Sequence, residues 1–363
     1  MLHQKPQRRG VKSGHAGRCR EAPGRLRQKR FAFFMASRTS GRHFFPISLL
    51  VPIKVQINGA RSLNHLPAKE RTRRRTFEMS YIQPQEFATK MVDAGEAKVF
   101  MSTKDTLIRA YMAGAILALA AAFAVTVAVN TGQFIIGALL FPVGFSMLYL
   151  LGFDLLTGVF TLVPLALFDK RPGVTTKGML RNWGLVFVGN FAGAMTTAIF
   201  MAITFTMGFT LEPNAVGARL MDIGHSRTVG YAEAGAGGML TLFVRAVMCN
   251  WMVSTGVVAA MMSSSVSGKI MAMWMPILVF FYLGFEHSIV NMFLFPIGIL
   301  LGADFTWGDY LMYNEIPTVI GNLVGGLTFV GAMLYATHYK MSPSRRQLDS
   351  HGPVSPLVSG PAE

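Results

Sequence analysis

Between Arg109 and Asp154 the chain runs for 44 residues without an Asp, Glu, Lys or Arg. About 20 apolar residues in helix cross the ~30 Å hydrocarbon core of a bilayer, so this stretch holds two crossings. The turn-forming string Asn130-Thr131-Gly132-Gln133 divides them. Span 1 is therefore predicted at about 108–129, and span 2 begins near Phe134. Span 2 meets Asp154 in mid-course, continues through 155–168 and stops at Asp169-Lys170-Arg171-Pro172-Gly173. Span 3 follows at about 184–210, span 4 at about 239–262 and span 6 at about 316–337. Span 5 starts near Ile270, is interrupted by Glu286-His287 and resumes to about Leu301. The fold class is all-α and polytopic.

The formal charge of +16 argues for nucleic acid until it is located. Residues 1–78 hold 19 Lys and Arg against 3 Asp and Glu, and the remaining chain holds 15 of each. The apolar body is thus neutral, and no nucleic-acid partner is assigned to it. The basic extension 1–78 reads as an in-frame addition with Met79 as a restart; a disordered arm near anionic lipid and a nucleic-acid arm are the other readings. Two cysteines, Cys19 in the extension and Cys249 in an apolar run, exclude a disulfide scaffold and a four-cysteine zinc site. No cofactor is implied.

Lys and Arg in the connections set the orientation. Lys170, Arg171, Lys177, Arg181, Lys269, Lys340, Arg345 and Arg346 share a side with Lys90, Lys98 and Lys104, whereas the other side has Arg219 and Arg227. Six spans in the cytoplasmic (inner) membrane, with both termini cytoplasmic, satisfy this count. The chain divides into the extension (1–78), a segment before the first span (79–107), the six-span domain (108–339) and a tail (340–363).

One internal repeat organises the six-span domain. An offset of 132 superposes Gly152-Phe153-Asp154 on Gly284-Phe285-Glu286, Pro164 on Pro296, and Gly189-Asn190-x-x-Gly193 on Gly321-Asn322-x-x-Gly325. Each half, about 108–210 and 239–339, has three spans. Because three is odd, the second half enters the membrane from the opposite side, which makes a 3+3 inverted repeat with broken helices 2 and 5 meeting near the midplane.

The polar residues at the breaks are the candidates for function. Asp154 and Glu286 are costly in apolar surroundings and read as structural, capping a half-helix or holding its loop. His287 lies at the break of span 5, and Thr157 three residues past Asp154 is either a hydroxyl donor facing it or a helix N-cap. Asn190 and Asn322, with their glycines, read as close-packing positions.

The string Gly284-Phe285-Glu286-His287-Ser288-Ile289-Val290-Asn291-Met292-Phe293, with Cys249-Asn250-Trp251 before it and Ile316-Pro317-x-x-Ile320-Gly321-Asn322 after it, resembles the formate/nitrite transporter family. The likeness runs from about Ile82 to Tyr339. It implies a homopentamer of aquaporin-like protomers, each with its own pore for small monovalent anions: formate, nitrite, hydrosulfide and in some members acetate or lactate. Formate is the preferred substrate, and membrane lipid and protons are the further partners.

Carried over by position, the resemblance makes His287 the central pore histidine and Thr157 its opposing threonine. It puts Phe141, Phe145, Leu155 and Phe280 at two apolar constrictions, Lys98 at the cytoplasmic mouth, and Asn250 and Asn322 near the pore. Two departures stand out. The family's outer-vestibule lysine has no counterpart in 234–238, with Arg219, Arg227 and Arg245 as possible substitutes, and the loop of span 2 reads Gly-Phe-Asp-Leu-Leu-Thr.

Transport coupled to a proton handed over by His287, and passive anion flow past a neutral His287, both fit this sequence. A water channel would carry two Asn-Pro-Ala boxes, which are missing, and an enzyme or haem site needs several polar ligands at one depth. A cation channel would want acidic rings.

Overall fold

The computed structural model describes residues 81–340, so the readings of the basic extension and of the tail beyond Lys340 lie outside the described residues. In chain order, α1 (Pro84–Phe100) precedes α2 (Thr103–Thr131), α3 (Phe134–Leu150), α4 (Leu156–Phe168) and α5 (Thr176–Phe205). Two short helices, α6 (Ala215–Ser226) and α7 (Val229–Glu233), lead into α8 (Gly235–Met261). Then come α9 (Val266–Tyr282), α10 (Ser288–Leu300) and α11 (Trp307–Tyr339). Among the described residues α2, α5, α8 and α11 are long and apolar enough to cross a membrane. The shorter apolar helices form two consecutive pairs, α3 with α4 and α9 with α10.

Local chemistry sets the ends. The Ser102 hydroxyl accepts the Asp105 N–H at 3.0 Å to start α2, and Gly132, at φ 67°, closes it in the left-handed region that costs glycine little. Pro142 divides α3 because it has no N–H to continue the ladder. Three predicted boundaries are corrected here. Span 3 begins at Thr176 and ends at Phe205, and span 6 begins at Trp307. The reason is the same for both starts. Lys177, Arg181, Asp309 and Glu315 lower the local hydropathy without disturbing helical hydrogen bonds, whereas the caps Thr175 and Thr306 decide where each helix starts. Helix α11 is also irregular, with π-helical turns at Leu311–Glu315, Leu327–Ala332 and Tyr335–Tyr339.

The long helices pack in two equivalent pairs through glycine. A Cβ added to Gly193 of α5 would lie 1.9 Å from the Tyr111 carbonyl oxygen of α2, and one added to Gly325 of α11 would lie 2.1 Å from that of Val247 in α8. Gly189 and Gly321 likewise face Ala110 and Ala246, each at 2.5 Å from the alanine methyl. Without a hydrophobic drive between helices in lipid, this closeness is what supplies dispersion contact. Gly193→Ala and Gly325→Ala are therefore each expected to prevent assembly of folded protein, since a backbone carbonyl cannot step aside. Size-exclusion profiles of the solubilised variants check this, and a wild-type profile would show that the helices can separate.

Helix α1 does not belong to either pair. It lays Phe87, Met91 and Val92 against Leu162 and Leu165 of α4, and Gly95 lets it approach the Leu162 carbonyl. Arg171, just past α4, bonds Asp93 and Glu96 of α1, Asp169 and the hydroxyl of Tyr339. Burial opposes that charge, but the hydrogen bonds it donates to Tyr339 and Asp169 prevail and hold the guanidinium pKa above its ordinary value.

Candidate functional site

The two interruptions are built alike. Residues 151–155 separate α3 from α4 and residues 283–287 separate α9 from α10, each turning through a left-handed glycine, Gly152 at φ 72° and Gly284 at φ 64°. Each loop is pinned by one buried asparagine. Asn190 donates to the carbonyls of Ala110 at 2.8 Å and Asp154 at 2.9 Å, and its oxygen accepts the Leu156 N–H at 2.9 Å. Asn322 repeats this with Ala246 at 2.8 Å, Glu286 at 2.8 Å and the Ser288 N–H at 2.9 Å. A helix end buried away from water leaves backbone groups without partners, and these amides supply them. The offset of 132 seen in the sequence is thus present in the hydrogen bonds. Packing by Gly189, Gly193, Gly321 and Gly325 is accompanied by this second duty of the asparagines.

Both loop carboxylates have a cation. Asp154 pairs with Lys98 at the end of α1, and Glu286 pairs with Arg227 at the end of α6. Arg227 donates through Nε to Glu286 Oε1 at 2.7 Å and also reaches the Phe285 carbonyl at 3.4 Å. Glu286 further accepts from Tyr231 at 2.9 Å, Asn291 at 3.0 Å and Asn314 at 3.2 Å. Tyr231, on α7, is pushed up to about 12 by burial and by the Glu286 charge, so it remains a donor at neutral pH. The Glu286 carboxylate, adjacent to His287 in sequence, is turned toward Arg227 and makes no bond to the imidazole.

His287 and Thr157 meet across the two breaks. Thr157 Oγ1 lies 3.3 Å from His287 Nε2, and both side chains are buried. His287 is the N-cap of α10, its Nδ1 accepting the Val290 N–H at 3.3 Å. In the neutral ring an accepting Nδ1 leaves the proton on Nε2, which donates to the threonine. Thr157 is not the N-cap of α4; that position falls to Leu155, which frees the hydroxyl for the histidine. The backbone carbonyl of Thr157 accepts from Asn250, which also donates to the Asn322 carbonyl at 2.7 Å.

Aromatic rings crowd one side of this contact. Phe280 stacks on the imidazole at 5.5 Å, Phe141 meets Phe280 edge-on at 5.7 Å, and Phe141 also stacks on Phe281 at 3.9 Å. Thr157 also lines a cavity of about 190 Å³, together with Phe145, Leu155, Lys98 and Asp154. Phe145 and Leu155 line this cavity and Phe141 and Phe280 do not, though all four belong to one hydrophobic cluster. Asn322 is brought close but has its amide committed to three backbone groups.

The Arg227–Glu286 pair was not legible as a contact, and neither were Asn291, Asn314 and Tyr231 as its company. No shared spacing gives the pair away: Lys98 stands 56 residues before Asp154 and Arg227 stands 59 before Glu286, so the repeat offset does not superpose the two cations. Arg219 is largely exposed and near Asp222 at 4.0 Å, while Arg245 donates to the Tyr231 hydroxyl at 2.8 Å.

The profile of the family described as formate/nitrite transporter matches residues 85–336. A probable formate transporter of Methanothermobacter thermautotrophicus is 39% identical over 207 residues, covering 55% of this chain and 73% of its own. The formate channel BtFdhC of Bacillus thuringiensis is 31% identical over 273 residues, 72% of this chain and 98% of that one. Among solved structures, a pentameric formate channel with formate bound has the same fold, with a TM-score of 0.54 at 24% identity over 64% of this chain and 96% of its own. With the helical architecture, the broken pairs and these matches together, the chain is an integral membrane protein of the formate/nitrite transporter family.

Proposed function

We propose that this protein moves small monovalent anions, formate foremost, through a pore in each protomer of a homopentamer in the cytoplasmic (inner) membrane, both termini cytoplasmic. The observation that carries this reading is the Thr157–His287 contact, two hydrogen-bonding side chains at paired helix breaks between apolar groups. The inverted 3+3 reading accounts for the matching asparagine bonds, and the likeness to a pentameric formate channel favours five chains and formate.

An anion that reaches the cavity beside Lys98 must shed water to pass the rings, which is costly for a charge and cheaper for a neutral acid. A neutral His287 gives a hydrogen bond through Nε2 and nothing more. To hand a proton to formate it first takes one at Nδ1, which ends the bond from Val290, and then releases the Nε2 proton to a formate oxygen. Neutral formic acid crosses the Phe280 and Phe141 rings, and the histidine is left uncharged with its proton on Nδ1, which must return to Nε2 before Val290 can donate to Nδ1 again. Proton-coupled uptake thus requires the N-cap of α10 to let go, whereas passive flow does not.

The test uses the full chain in liposomes with formate, nitrite, ammonium and an osmotic step, after native mass measurement of the solubilised protein. Five chains, with formate and nitrite flux and no ammonium flux, are expected. Ammonium flux without formate flux, or a stable dimer, would overturn the reading. In the same vesicles Phe280→Ala and Phe145→Ala are each expected to raise lactate flux relative to formate by roughly tenfold, because a narrowed apolar ring excludes by size and dewetting. An unchanged ratio would make these rings core packing.

A further inference from the structure

Glu315 is a buried carboxyl that transport through His287 does not use. It is 2% exposed, at the end of the π-helical turn Leu311–Glu315. One oxygen accepts from the Tyr310 hydroxyl at 3.0 Å, and Oε1 has no hydrogen-bond partner among the described residues. No Lys, Arg or His forms an ion pair with it there, although Glu286, likewise buried, has Arg227. A carboxylate removed from water without a counter-charge is strongly disfavoured, and adding a proton removes the charge.

The geometry points to Glu315 as a second proton-exchanging side chain, whose protonation controls the buried cluster that holds the Glu286–His287 loop. The link is its chain neighbour. Asn314 donates to Glu286 at 3.2 Å and to the Arg227 carbonyl at 2.9 Å, and it accepts from Asn291 at 2.7 Å. The turn packs against α7 and α10. Those elements present Tyr231 and the exposed Glu233 from α7, and Glu286 and His287 from the loop that leads into α10, with Arg227 at the end of α6 and Tyr310 just before the turn. Loss of the Oε1 proton to bulk water would put a second negative charge into a cluster that holds one guanidinium for Glu286. The two carboxylates would compete for it through Asn314, and the loop carrying His287 would loosen. The one covalent change is the transfer of that proton from Oε1 to a water oxygen.

This inference rests on the transport reading, so its test has a readout independent of flux. Infrared spectra of the full chain in vesicles at pH 7 are expected to contain the carbonyl band of a protonated buried acid, lost in Glu315→Gln and shifted in Tyr310→Phe. Formate flux should fall about fivefold or more from pH 7 to 9 in wild type and less than about twofold in Glu315→Gln, whose amide cannot ionise. An unchanged band in Glu315→Gln overturns the inference, as does a pH profile identical to wild type. Should the Gln variant fail to assemble, the band shift in Tyr310→Phe decides. If wild type carries no formate at all, the transport reading fails and the band still reports on Glu315.

Discussion

Arg227→Gln is expected to cost about 3–5 kcal/mol of stability, because it leaves the Glu286 carboxylate, 0% exposed, buried without its cation. Glu286→Gln is expected to cost less than Arg227→Gln, since the remaining guanidinium is partly exposed and can find water. The double change should be milder than the sum, the mark of a pair acting as one unit. Thermal unfolding of the solubilised pentamer, followed by loss of the native-mass species, measures all three. A wild-type melt for Arg227→Gln would mean that Tyr231, Asn291 and Asn314 suffice to hold the loop. Lys98→Gln provides the contrast: Lys98 and Asp154 form the equivalent pair at the other break, and both line a cavity with room for water to take the place of the ammonium. Its loss should therefore cost less stability while reducing anion flux.

His287→Asn is expected to retain the fold and to flatten the pH dependence of formate uptake, with the acid-side rise falling by about tenfold or more. The fold survives for a local reason. Asparagine is a good N-cap, and its amide oxygen can accept the Val290 N–H that Nδ1 now accepts. Its amide can also donate to Thr157, so passive efflux should persist in part. What it cannot do is take up and release a proton. Formate flux across pH 5 to 8, measured beside Thr157→Val, is the appropriate measurement. Retention of the wild-type pH profile in His287→Asn would make the histidine a structural cap and end the proton-transfer account.

Much of the fold was legible because the bilayer allows few solutions. A charge-free run between Arg109 and Asp154 reads as two helices, since only helices and closed barrels satisfy their backbones in hydrocarbon. The repeat of Gly-Phe-Asp on Gly-Phe-Glu, and of Gly-Asn-x-x-Gly on itself, located both interruptions before any geometry. Helix starts were less legible at α5 and α11, where hydropathy follows the membrane and capping follows the hydrogen bonds. The candidate site was half legible. His287 stood out as a histidine at a break, and the structure puts Thr157 beside it.

The partners were the part that sequence spacing does not encode. A carboxylate within an apolar run announces that something must compensate it, without saying what. That Glu286 takes Arg227 rather than His287 depends on how α6, α7, α10 and α11 pack, whereas Glu315 and Tyr310 are five residues apart within α11. Residue type and periodicity by themselves determined which segments are helical, where the two apolar pairs break and which halves repeat, because those follow from chain-local hydrogen bonding and transfer to lipid. Only the tertiary structure decided which cation meets which loop carboxylate, and which asparagine closes which loop, because these bonds join residues from 34 to 80 positions apart and form only when the helices are already in contact.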